Sequence, residues 1–93
     1  MIKATFPETP NTAILVANCE SGLNPKAHNP HNNDGSTDSG LWQINSVHDA
    51  RLKELGLNKW DPEDATKFAR ILYEESGWNP WVCYWHPDHL AMR

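Results

Sequence analysis

Asp34-Gly35-Ser36-Thr37-Asp38-Ser39-Gly40-Leu41-Trp42-Gln43-Ile44-Asn45-Ser46 is the stretch on which the reading of this 93-residue chain turns. It opens with an Asp-Gly pair, the strongest hairpin signal in the chain, because both residues tolerate the left-handed backbone of a tight turn. It closes with Leu41, Trp42 and Ile44, which are expected to dip back into a core. Gln43 and Asn45 alternate with Trp42 and Ile44, so an extended segment would carry the two amides on one face. Residues 24–39 are rich in Asn, Pro, Gly, Ser and Asp, the residues of turns. The stretch therefore predicts a small β-hairpin flap that returns to the core.

Helices flank the flap on both sides. Thr9 and Pro10 suit a helix cap and first position, and Gly22 and Pro25 stop that helix after Ser21. Residues 1–8 ahead of it read as a short N-terminal arm. Ser46 and Asp49 form an S-x-x-D start for a second helix, ending at Gly56. Asp61-Pro62-Glu63-Asp64 opens a third, with an apolar stripe of Ala65, Phe68, Ala69, Leu72 and Tyr73 at 3.6-residue spacing. Lys67, Arg70 and Glu74 take its other face, and Gly77 ends it. A last helical turn starts near Pro80 and carries Trp81 and Trp85. The expected fold is α+β and mostly helical, a single domain over residues 1–93.

Bulk properties narrow the function. Hydrophobic residues make up 39% and charged residues 22%, an ordinary globular mix. A net charge of −4 argues against nucleic acid, whose affinity comes mainly from Lys and Arg on phosphates. The longest apolar run, Ala13–Ala17, is far short of the roughly 20 residues that cross a bilayer, so no membrane insertion is expected. The opening Met1-Ile2-Lys3, with Glu8 and Pro10 close behind, does not read as a signal peptide. Cys19 and Cys83 leave two readings open, one disulfide or two buried thiols; a domain this small favours the staple. Closing about 64 residues would stabilise by roughly 4 kcal/mol in the chain-entropy model.

Glu20 is the first candidate for chemistry. It shares a helix face with Ala13, Val16 and Ala17 near the C-terminal end of that helix. Desolvation and the negative end of the helix dipole both favour its protonated form, the form a general acid needs. The plain alternative is a carboxylate reaching solvent past Gly22. Asp38 follows eighteen residues later, where a folded flap would bring it opposite Glu20. Two carboxyls across one cleft are the machinery of glycoside cleavage, although Asp also simply favours turns. Five tryptophans, three of them within residues 78–85, serve either a sugar cleft or a core. His86-Pro87-Asp88-His89 lacks the spacing and third ligand of a zinc site, so neither a metal nor another cofactor is expected.

These segments together resemble the lysozyme-like superfamily. Cys19-Glu20-Ser21-Gly22-Leu23-Asn24-Pro25 resembles the Glu-Ser segment around the catalytic acid of lysozymes and lytic transglycosylases. Residues 34–46 resemble the hairpin-and-return segment of C-type lysozymes and of small transglycosylases from phage and secretion systems. Asn79-Pro80-Trp81-Val82 resembles the segment whose tryptophan packs on the acid. The resemblance runs from about residue 10 to residue 85. It implies a minimal lysozyme-like fold and Glu20 as general acid, with Asp38 as nucleophile or stabiliser of the oxocarbenium-like transition state. It places Asn32, Gln43 and Asn45 along the cleft and Trp81 against the acid. The implied partner is the peptidoglycan glycan strand, cut by a monomer at the bacterial cell wall, whether extracellular, periplasmic or virion-associated.

This chain also departs from its models. C-type lysozymes carry several disulfides and this chain at most one. Their cleft tryptophans after Asn-Ser are replaced here by Val47 and His48. Transglycosylase relatives keep the Glu, often lack the Asp, and release 1,6-anhydro products. The expectation is a muramidase cutting the β-1,4 bond between N-acetylmuramic acid and N-acetylglucosamine. The alternatives are a lytic transglycosylase and an inactive peptidoglycan-binding or phage structural module.

Overall fold

The computed structural model describes residues 1–30 and 32–85, and all side chains there except those of Val82 and Trp85. The His86–His89 segment weighed above for metal binding lies outside the described residues. The architecture is mostly helical with one small antiparallel sheet, in the order α1 (Ile2–Thr5), α2 (Pro10–Ser21), β1 (His28–Asn29), β2 (Asp38–Ser39), β3 (Ile44–Asn45), α3 (Asp49–Leu55), α4 (Pro62–Ser76) and α5 (Val82–Trp85). A single 3₁₀ turn, Ser46–His48, leads from β3 into α3.

The helix boundaries follow from caps. α2 carries Pro10 in its first turn and stops where Gly22 takes a left-handed conformation, φ 66°. Thr9 occupies the cap position, but its side chain makes no cap hydrogen bond. α4 is capped as the sequence suggests: the Asp61 carboxylate accepts from the Asp64 N–H at 2.9 Å. Ser46 does not cap the second helix. The cap position of that helix is His48, which makes no side-chain cap bond. Asn45 caps the 3₁₀ turn ahead of it by accepting from the Val47 N–H, and the Ser46 hydroxyl accepts from the Thr37 N–H at 3.1 Å.

The flap is a three-stranded sheet in the order β1-β2-β3 and not a lone hairpin. Asn29 pairs with Asp38, and Asp38 pairs in turn with Asn45. Asp34-Gly35 is not a two-residue hairpin turn. It sits inside the longer loop between β1 and β2, where the Asp34 carboxylate accepts the Ser36 N–H at 2.9 Å, an Asx turn that competes with strand pairing.

Trp42 centres the core and is fully buried, with Phe6 and Trp81 rings at 5.4 and 5.6 Å. Its indole N–H donates to the Thr66 hydroxyl at 3.0 Å, so a buried polar group is satisfied by a threonine on α4. Ala65, Phe68, Ala69 and Leu72 of the α4 stripe are buried in the same cluster, and Tyr73 packs at its margin.

Residues 1–8 do more than trail as an arm. Ile2–Thr5 form a helical turn, and Phe6 is completely buried against Trp42, Tyr73 and Trp78. Arg70, expected on the solvent face of α4, clamps this segment instead. It donates to the Thr5 carbonyl, pairs with Glu8, and lies over the Phe6 ring at 5.6 Å. A helix this short carries no periodic signal of its own. The tertiary contacts of Phe6 and the Arg70 clamp hold it in place.

Gly40 marks where the return segment meets the rest of the molecule. Its φ is 82°, and a β-carbon there would lie 2.3 Å from the Lys59 carbonyl oxygen on the α3–α4 loop. Gly40→Ala therefore combines a left-handed backbone penalty with a main-chain clash, and we expect it to cost about 2 kcal/mol or more. Gly35→Ala, with nothing within 4 Å of the added carbon, meets only the backbone penalty. Thermal unfolding of the two variants should separate them, and equal losses would show that the Lys59 contact is immaterial.

Candidate active site

The site is assembled where the end of α2, the sheet and the segment before α5 converge. A cavity of about 190 Å³ opens there, walled by Glu20, Asp38, Gln43, Asn45, His48 and Trp81, with Ile44, Leu72 and Pro80 completing it. Asp38 and Asn45 also border a wider hollow lined by Asn32, Asn33, Asp34 and Ser36, so the two spaces are contiguous along the sheet. Glu20 and Asp38, eighteen residues apart in sequence, thus face one space.

Glu20 is half-buried as the penultimate residue of α2. One partner of its carboxylate is the backbone N–H of Cys83, which approaches Oε2 at 3.4 Å. The next residue ties that helix end down: the Ser21 hydroxyl lies 2.6 Å from the Leu41 carbonyl and 3.0 Å from the Ala17 carbonyl. A serine one turn from a helix end often bonds back to the i−4 carbonyl; here it also reaches the return segment. Sequence reasoning passed over Ser21, although the Glu-Ser pair was in view.

Asp38 is held more elaborately. Asn32 Nδ2 donates to its Oδ2 at 3.1 Å and Asn45 Nδ2 donates to its Oδ1 at 3.0 Å. The second proton of each amide goes to the Ser36 hydroxyl, at 3.2 and 2.9 Å. Each amide is oriented by its oxygen, since Asn29 donates to Asn32 Oδ1 and the Val47 N–H donates to Asn45 Oδ1, both at 3.0 Å. Ser36 passes its own proton to the Asp34 carboxylate. The Asp34 carboxyl is accordingly held below the usual range by the Ser36 hydroxyl and, next, by the Ser36 N–H. Ser36, buried at 8% exposure, is the hub of this network. Nothing in its sequence context but the crowding of Asn and Asp around it points there.

Gln43 lines the cavity from a left-handed turn, φ 49°, and not from an extended strand. Its amide protons go to the carbonyls of Ala27 and Gly40 at 3.1 and 3.0 Å. Trp81 is 3% exposed and donates its indole N–H to the Trp42 carbonyl at 3.1 Å, so it is both core and cavity wall. Cys19 and Cys83 are joined by a disulfide with their Cα atoms 6.1 Å apart. Among the described residues no group of His, Cys, Asp or Glu is arranged to hold a metal, and no helix is long and apolar enough to cross a membrane.

His48 is a wall residue that the sequence reading did not single out for chemistry. Its ring packs on Phe68 at 5.4 Å. Burial, then the nearby Arg51 guanidinium, push its pKa below 6.5, against the smaller opposing pull of Glu75 and Asp49. The native state thus binds this proton less readily than the unfolded chain. His48 contributes nothing to the pH dependence above about 6.5. It destabilises the fold progressively as pH falls from there through the lowered native value. NMR titration should place the His48 midpoint below 6.5, and His48→Gln should remove part of the acid-side loss of stability. A midpoint above 6.5 would contradict this environment.

The mostly helical fold with its small antiparallel sheet is that of a lysozyme-like protein. The family model described as lysozyme like domain matches residues 3–83, and the chain belongs to that family. Invasion protein IagB of Salmonella typhimurium (strain SL1344) is 52% identical over 44 residues, which are 47% of this chain and 27% of that protein. Lysozyme 2 of Lucilia sericata is 29% identical over 86 residues, covering 80% of this chain and 61% of its own. Protein IpgF of Shigella flexneri is 48% identical over 44 residues, 47% of this chain and 28% of its own. The chain thus aligns with only about a quarter of the length of the bacterial relatives. No solved structure gives a significant match.

Proposed function

We propose that this chain cleaves the glycan strands of peptidoglycan at the β-1,4 bond between N-acetylmuramic acid and N-acetylglucosamine. The observation that carries the reading is the meeting of Glu20 and Asp38 in one tryptophan-walled cavity. Membership of the lysozyme-like family and the likeness to a protein called lysozyme support it. Glu20, protonated, donates to the leaving oxygen as the glycosidic bond breaks. Asp38 stabilises the positive charge that develops at the anomeric carbon.

The two carboxylates are held for different work. Both oxygens of Asp38 accept amide N–H groups, an arrangement that fixes an ionised carboxylate in place and spreads its charge. This favours electrostatic support over covalent attack by Asp38. Such support serves hydrolysis by water and also closure by the muramoyl 6-hydroxyl, which gives 1,6-anhydro ends. The muramidase reading leads because Asp38 is present; the lytic transglycosylase reading stands beside it because of those bonds. Asn32 and Asn45 act mainly through Asp38, while Gln43 and Trp81 shape the wall. The place of action is the bacterial cell wall.

Mass spectrometry of soluble products from purified peptidoglycan is the test. Reducing-end muropeptides identify a hydrolase, and products lighter by one water identify a lytic transglycosylase. Glu20→Gln should lower the rate roughly 10³-fold with the fold unchanged. Asp38→Asn should lower it roughly 10²-fold. Near-normal cleavage by Glu20→Gln would overturn the assignment. Binding to peptidoglycan without any product would point to an inactive binding module.

A further inference from the structure

We propose that the Cys19–Cys83 disulfide positions the Glu20 carboxylate, so that full turnover requires the oxidised form of the chain. The inference rests on Glu20 being the acid of the proposed reaction. Cys19 immediately precedes Glu20 on α2, and the bridge joins it to Cys83 on α5. Both cysteines are buried, at 2% and 5% exposure. The backbone N–H of Cys83 in turn donates to Glu20 Oε2 at 3.4 Å. One residue is thus fastened covalently beside Glu20 and also touches its carboxylate.

The bridge matters because it is the covalent link between α5 and the helix that carries Glu20. α5 has only four residues, too few to persist through its own hydrogen bonds. The nearby backbone bonds, Trp81 N–H to the Trp78 carbonyl at 3.0 Å and Tyr84 N–H to the Trp81 carbonyl at 3.1 Å, stay within the segment. The indole bond to the Trp42 carbonyl anchors Trp81 and the Tyr84 ring stacks on Trp78 at 6.0 Å, while the disulfide is the covalent tie of Cys83 to α2. Loss of the bridge therefore releases the Cys83 N–H from Glu20 while the Trp81 wall remains. Positioning fails before binding does.

The chemistry is ordinary thiol–disulfide exchange with a dithiol such as dithiothreitol. A reductant thiolate attacks one sulfur and the S–S bond breaks. The second reductant thiolate then closes its own ring disulfide. Two electrons and two protons pass to the protein, leaving thiols at Cys19 and Cys83.

The test is peptidoglycan cleavage by the full chain, oxidised and dithiothreitol-reduced, with Cys19→Ala/Cys83→Ala alongside. Assays run at about 15 °C, near the usual stability maximum, with trimethylamine N-oxide to favour the compact state, and near-UV circular dichroism checks that each form is folded. Reduced and double-alanine proteins should be folded, with kcat down about 10- to 100-fold and KM within about threefold of the oxidised value. The alkaline limb of kcat should also move to higher pH, because Oε2 has lost a donor that favours its charged form. Reoxidation of the reduced protein should restore both. A folded reduced protein with unchanged kcat and pH limb would overturn the proposal. So would a reduced protein that stays unfolded under these conditions, since the bridge would then be a staple and nothing more. If the oxidised protein itself releases no fragments, the reading of Glu20 falls, and this inference falls with it.

Discussion

Trp42 is the side chain on which the site depends. It is the largest fully buried side chain among the described residues, and it lies within the return segment, between Leu41 and Gln43. Its ring meets Phe6 from the N-terminal segment, Trp78 from beyond α4 and Trp81 from the cavity wall. Its N–H finds Thr66 and its carbonyl receives the Trp81 indole. An indole donor left unpaired in such a core would be costly. Thr66 settles that cost while donating its own hydroxyl proton to the Pro62 carbonyl at 2.7 Å. Because Leu41 receives Ser21 just before this hub and Gln43 lines the cavity just after it, the packing of one tryptophan sets where both carboxyls stand.

Around that hub the two acids are treated unlike one another. Asp38 sits in a closed polar circuit of Asn32, Asn45 and Ser36 in which every amide proton has an assigned acceptor. Such a circuit keeps its shape only while complete, since removing one member strands the others. Glu20 stands at a helix end against an apolar wall, with a backbone N–H nearby. On the proposed function, this difference in surroundings is what would separate the roles of the two carboxyls.

Much of this was legible in the sequence, and the residues show why. Asp61-Pro62 and Gly77 bounded α4 because caps act through local backbone chemistry, which neighbours in sequence determine. Gly22 and Gly56 ended their helices for the same reason, each in a left-handed conformation. Glu20 and Asp38 emerged from periodicity, turn chemistry and resemblance together. Phe6 was hidden because its burial is decided by Trp42, Tyr73 and Trp78, which are distant in sequence. Arg70 looked like a surface cation because helical spacing cannot see a carbonyl on another segment. Ser36 and His48 were likewise settled by partners that only the folded chain brings near. Asp34-Gly35 marked the hairpin between β1 and β2 but not the length of its loop, because the Asp34 carboxylate turns back on Ser36.

The close approach of Gly40 to the Lys59 carbonyl bears on how this scaffold tolerates change in length. Surface connections usually absorb insertions at little entropic cost, and residues 56–61 between α3 and α4 look like such a place. Here, however, the loop is braced main chain to main chain against the segment that leads from Asp38 to Trp42. Added residues that pushed Lys59 inward would move the floor of the cleft, and ones that drew it away would leave Gly40 unsupported. The tip of the 30–37 loop at Gly35 has open space around it, but Asn32 and Ser36 beside it hold Asp38, so both connections next to the cleft fix the length of this fold.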